Sequence, residues 1–93
     1  MRTIERTTAF KRDFRRERKR PHRKTVEALL VAIIAALMDD TPLPIANRDH
    51  PLSGEWESYR DCHVRPDLVL IYRLPDPDTL QLVRLGSHSE LFG

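Results

Sequence analysis

The chain has a single cysteine among 93 residues, so no internal disulfide framework is possible. It has no apolar stretch longer than the eleven residues from Ala28 to Met38. A bilayer span takes about 17–25 residues, so this run predicts a buried helix. The N-terminus is polar and charged where a signal peptide needs an apolar core. There is no internal repeat and no low-complexity tract. One domain over residues 1–93, soluble and cytoplasmic, is the expectation.

What the chain does have is an uneven charge. Residues 1–24 hold eleven Lys/Arg and three acids, net +8, and residues 25–93 hold five Lys/Arg and eleven acids, net −6. A polyanion or an acidic partner is the expected counterpart of such a basic block. The block contains Lys11, Arg12, Arg15, Arg16, Lys19, Arg20, Arg23 and Lys24. Phosphates neutralised by such residues release counterions, giving affinity without sequence preference.

The pattern predicts a short strand within Met1–Thr7, then a helix from about Ala9 to Lys19 with Thr7 or Thr8 as its N-cap. Phe10 and Phe14, four apart, mark its buried side. A second helix is expected to begin at Pro21, a residue suited to a first turn, and to end near Met38. Val26, Leu29, Leu30, Ile33, Ile34 and Leu37 supply its core stripe. Val31 and the alanines widen that stripe, so cover on more than one side is expected. Asp40–Pro44 ends the helix and opens a loop.

Strands are predicted over 55–64, 68–74 and 79–85. A turn at Arg65-Pro66-Asp67 joins the first two, and Pro75–Asp78 joins the last two. Ser87 can cap a final helical turn through Leu91. The fold class is α+β, ordered β-α-α-β-β-β, with two helices on one face of an antiparallel sheet.

Alternation along 59–65 places Tyr59, Asp61, His63 and Arg65 on one face, and Trp56, Arg60, Cys62 and Val64 on the other. A phenol, a carboxylate, an imidazole and a guanidinium in one row suit chemistry or phosphate binding. His50, in the loop before the sheet, and His88, after the last strand, can converge on His63. The histidine spacing matches no recognised zinc pattern, so no metal is expected. Cys62 is expected to pack inward rather than act as a nucleophile. Metal-free RNA cleavage fits the residue types. Histidine serves as base or acid near neutral pH, a carboxylate fixes its tautomer, and arginine offsets phosphorane charge. Tyr59 or Phe92 can stack on an exposed base.

Several motifs stand in order: Asp49-His50-Pro51-Leu52-Ser53-Gly54-x-Trp56, Tyr59-Arg60-Asp61-x-His63-Val64-x-Pro66-Asp67, Leu70-Ile71-Tyr72, Arg84-x-Gly86-x-His88 and Leu91-Phe92-Gly93. Through them nearly the whole chain resembles the YafQ-like branch of the RelE/ParE toxin superfamily. The resemblance implies a compact RelE-like fold and a toxin that cuts messenger RNA in the ribosomal A site. It implies a reaction without metal or cofactor, through a 2′,3′-cyclic phosphate. The implied partners are a DinJ-like antitoxin, the ribosome and mRNA, with operator DNA met only through the antitoxin complex, and no membrane.

Catalytic positions carried over are His50, His63, Asp67, His88 and Phe92. Asp61, Arg65 and Arg84 are assigned to substrate and phosphate, and the basic helices to ribosomal RNA. Within this resemblance His50 or His63 is the base, and His88 or Asp67 the acid. Leu68 stands where some relatives have an aromatic. The Lys/Arg density from Lys11 to Lys24 is also higher than the resemblance leads one to expect. A ParE-like, non-catalytic gyrase inhibitor and a plain RNA-binding module are the alternatives, and the three histidines favour the enzyme.

Overall fold

A computed structural model describes residues 1–93. Strand β1 (Thr3–Arg6) leads into helix α1 (Thr8–Glu17) and helix α2 (Arg23–Met38). A loop follows, containing strand β2 (His50–Pro51) between single 3-10 turns at Ile45–Asn47 and Gly54–Trp56. Strands β3 (Arg60–Arg65), β4 (Leu68–Arg73) and β5 (Thr79–Gly86) come next, and helix α3 (His88–Phe92) ends the fold. The sheet order is β1-β5-β4-β3-β2. The β2–β3–β4–β5 pairings are antiparallel, but β1 runs parallel to β5. The crossover through both helices makes that direction possible.

Thr7 caps α1, its hydroxyl accepting from the Phe10 amide at 2.9 Å. Helix α2 starts two residues later than expected, at Arg23. Pro21 lies in the turn before it, and His22 takes the cap position. Phe10, Val26, Leu30, Ile33 and Leu37 close over Cys62, Leu70, Tyr72, Leu80 and Leu85 of the sheet. The stripe on α2 is narrower than predicted. Leu29 is 39% and Val31 67% exposed, because only one side of the helix meets the sheet. The other face of β4 carries Val69 and Ile71, covered by Leu91, Leu52, Trp56 and Tyr59.

Two corrections concern β3. Trp56 was expected on the face of Cys62 and Val64, but it sits in a 3-10 turn, where strand alternation does not apply, and packs on the opposite face. Arg65 was expected beside His63. The register steps from His63↔Val69 to Arg65↔Leu68, so Val64 is an extra residue in the ladder. This bulge brings Arg65 to the face of Leu68, which packs toward the helices.

Strand β1 pairs with β5 only as far as Leu82. Beyond it, α1 covers the free edge. Thr7 Oγ1 donates to the Val83 carbonyl at 2.7 Å, and Arg16 Nη2 to the Leu85 carbonyl at 2.8 Å. The Leu85 amide donates to Asp13 Oδ2 at 3.0 Å. Asp13 also receives Arg84 Nε at 2.7 Å and Arg16 Nη1 at 3.2 Å, with its side chain 2% exposed. Burial alone would raise the Asp13 pKa. The bonds from Arg84 and the Leu85 amide outweigh it and hold the carboxyl below its ordinary value.

The folded pKa of Asp13 is thus depressed. Its contribution to stability is present above the ordinary carboxylate range and is lost as pH falls through and below that range. Asp13→Ala should cost about 3–5 kcal/mol at pH 7, since Arg84 loses its partner. Thermal unfolding across pH checks both statements. The gap between parent and variant should shrink in acid.

Candidate functional site

Pairing of β2 with β3 sets His50 opposite Asp61, and directly opposed residues share a face. Asp61 in turn lies opposite Ile71, and His63 opposite Val69. His88 opens α3. Ser87 caps that helix through the Glu90 amide at 3.1 Å, while Glu90 Oε1 accepts from the Ser87 amide at 2.9 Å. The Glu90 carboxylate also meets Arg20 at 3.2 Å and Arg16 at 3.7 Å, tying α3 to the end of α1. These bonds hold Glu90 below its ordinary pKa, the Ser87 amide contributing most.

The result is a row of rings around one carboxylate. The His63 and His88 ring centroids are 5.3 Å apart, and His88 lies 5.7 Å from Phe92. Phe92 meets Trp56 edge-on at 5.9 Å, and Trp56 meets Tyr59 at 5.4 Å. Arg73 stands over the Tyr59 ring at 5.4 Å. His50 Nδ1 is 3.2 Å from Asp61 Oδ1. Its hydrogen bond goes instead to the Arg48 carbonyl, at 2.7 Å. A carbonyl only accepts, so Nδ1 carries the proton and Nε2 is the basic nitrogen of neutral His50.

Asp61 is 1% exposed. Burial raises its pKa, and the attraction of His50, His63 and His88 pulls the other way without cancelling it. All three imidazoles therefore act on one carboxylate. Asp61 was expected at the substrate, but it is too buried to touch one, and it acts on the rings through its charge, with no hydrogen bond to any of them.

The loop carrying His50 is anchored from the opposite face. Tyr72 Oη donates to Asp49 Oδ1 at 2.5 Å, and Arg60 Nε donates to the same oxygen at 3.3 Å. Burial first, and then this bond, raise the Tyr72 pKa, so the phenol keeps its proton. Arg48, in the left-handed region at φ 49°, turns the chain between the 3-10 turn and β2.

Other expected residues lie elsewhere. Phe92 joins the site, 40% exposed. Asp67, in the β3–β4 turn, makes no hydrogen bond to any imidazole and borders a depression with Glu17, Arg20 and His22. Arg84 is committed to Asp13 and is not free for phosphate. Of the basic set, Arg16 and Arg20 are paired with Asp13, Glu17 and Glu90. Lys11, Arg12, Arg15, Lys19, Arg23 and Lys24 are exposed. Cys62 is fully buried, and burial pushes its thiol up to about 12.

Trp56, Arg73 and Arg48 were missed. Trp56 had a signal in its position just after the Ser53-Gly54 turn. The two arginines had none. A mostly apolar groove of about 580 Å³, lined by Ile4, Phe10, Phe14, Leu30 and Ile34, lies on the helix side and apart from the histidines. No group of three or more His, Cys, Asp or Glu side chains is gathered for a metal ion. No helix is long and apolar enough to cross a membrane.

Imidazoles gathered on an open rim around a buried carboxylate, with aromatic rings beside them, stand on a small α+β fold and are groups able to take up and release protons near neutral pH. The sequence matches the family model described as "Bacterial toxin of type II toxin-antitoxin system, YafQ" over residues 2–93. The chain belongs to that family. It is 39% identical over 92 residues to the mRNA interferase toxin YafQ of Escherichia coli K12, covering 99% of this chain and 97% of the relative. The toxin of the E. coli DinJ–YafQ complex superposes with a TM-score of 0.86 at 38% identity, covering 100% of both chains. A metal-bound toxin from Helicobacter pylori gives 0.86 at 40% identity, covering 99% and 100%.

The raised pKa of Asp61 has a sign that can be measured. Its favourable contribution is full below the ordinary carboxylate value and is lost as pH rises through the folded value. Asp61→Asn should therefore melt no lower than the parent at pH 7, and any gain should vanish in acid. Melting curves at both pH values check this.

Proposed function

We propose that the protein is a ribosome-dependent endoribonuclease that cuts translated mRNA through its own 2′-hydroxyl, as the toxin of a type II pair. Endoribonuclease activity follows from the family, whose E. coli member is an mRNA interferase. The observation that carries the mechanism is the set of three imidazoles around Asp61.

His50 Nε2 removes the 2′-hydroxyl proton. The freed oxygen attacks the adjacent phosphorus, the P–O5′ bond breaks, and His88 gives its proton to the leaving 5′-oxygen. The products are a 2′,3′-cyclic phosphate and a 5′-hydroxyl end. His63, beside His88, offsets charge on the phosphorane. The acid role goes to His88 rather than Asp67, because His88 lies among the rings and Asp67 does not. The Arg48 carbonyl fixes the His50 tautomer, and Asp61, without touching RNA, favours protonated imidazoles through its charge. Phe92 and Trp56 supply faces for a base splayed from the strand.

The exposed cations of α1 and α2 support docking on ribosomal RNA. An antitoxin of the DinJ kind is the proposed partner, since a relative of the same fold is seen in complex with DinJ. Operator DNA is met only through that complex.

His63→Ala and His88→Ala should each slow cleavage about 10²–10⁴-fold. Primer extension on a message in a reconstituted translation reaction checks this, and unchanged rates would exclude the site. Cleavage should also persist after excess chelator is added and the magnesium needed by the ribosome is restored.

A further inference from the structure

A polar hollow of about 340 Å³ opens beside His63, at the end of β3 away from the aromatic rings. Asn47, Arg48, Arg65 and Pro66 form its walls, and no carboxylate lines it. Asn47 Nδ2 donates to the His63 carbonyl at 2.7 Å, which fixes the hollow against the strand that carries the imidazole. Neither Arg48 nor Arg65 is ion-paired, in contrast with Arg16, Arg20, Arg60 and Arg84. Arg48 is exposed and Arg65 half-buried. The bulge at Val64 is what turns Arg65 out of the imidazole row and into this wall. Arg48 comes from the left-handed turn whose carbonyl also holds His50 Nδ1.

Two unneutralised guanidiniums on a polar wall select an anion, and planar forked donors suit phosphate oxygens. We propose that this hollow is a phosphodiester subsite. It holds a backbone phosphate of the single-stranded RNA that runs past His63, one linkage removed from the bond that is cut, with Arg48 and Arg65 as its cations. The assignment rests on the nuclease reading for its substrate class, RNA. Because Arg48 carries both the guanidinium and the carbonyl that orients His50, a phosphate seated here also steadies the base. Arg65 is shared with the shallower depression that holds Asp67, so the strand's path runs along the hairpin turn.

The test uses the whole chain and a single-stranded 2′-O-methyl RNA, which lacks the nucleophile and cannot be cut. Arg48→Gln and Arg65→Gln should each weaken binding about tenfold. The double variant should flatten the dependence of log K on log salt by about 0.7, the value for one phosphate on a single strand. A neutral methylphosphonate moved through the RNA should weaken binding to the parent most at one linkage. That penalty should vanish in the double variant. Melting curves for both single variants should match the parent, since neither side chain is ion-paired.

An unchanged salt slope, or a methylphosphonate penalty that persists in the double variant, would overturn the subsite. A parent that binds with this arginine dependence yet cuts no message would overturn the nuclease reading and uphold the subsite.

Discussion

The fold depends on one constraint, the burial of β4 on both faces. Val69, Leu70 and Ile71 are fully buried, and Tyr72 is 1% exposed. One face is closed by α1 and α2. The other has no long helix left to cover it, so Leu91, Leu52, Trp56 and Tyr59 do so. Those residues come from the two segments that also bear His88 and His50. Hydrophobic cover for Ile71 and Val69 thus draws the histidines toward β3, where Asp61 and His63 already stand. The site is assembled by the same packing that closes the core.

Charge inside the molecule follows a second logic. Asp13 and Glu17 are buried within a helix whose sequence is mostly basic. They bind Arg84, Arg16 and Arg20, and through Glu90 the network reaches α3. Part of the basic block is therefore scaffold, and the rest faces outward. Gly86 fits this junction because a Cβ there would come within 3.1 Å of Arg16 Nη2 and 3.2 Å of Leu91 Cδ2. The end of α3 that bears His88 is positioned by the basic helix rather than by the strand alone.

Most of the architecture was legible because local signals agreed with one another. Of the two candidate caps Thr7 and Thr8, Thr7 is the cap, and Ser87 read as a cap and is one. The Pro66-Asp67 turn and the apolar run of β4 appeared where expected. The meeting of His50, His63 and His88 was a different matter. Nothing in their spacing requires it; the residue types allowed it, and the ordered motifs made it an expectation. What could not be read were features made by tertiary geometry. One extra residue at Val64 reverses Arg65, and alternation cannot signal a bulge. Arg84 meets Asp13 across 71 positions, so neither looks paired in the sequence. The parallel direction of β1 is set by the helical crossover, not by its own four residues.

Cys62 lies on β3, facing the core under the helices, with its thiol fully covered. A protonated sulfur without solvent contact neither attacks disulfides nor reacts with electrophiles. In the native fold this thiol is accordingly shielded from oxidants and thiols in solution. Because Cys62 is the sole thiol, alkylating reagents reach it only when β3 separates from its neighbours. The rate of labelling is then a clock for opening of the very strand that carries Asp61 and His63.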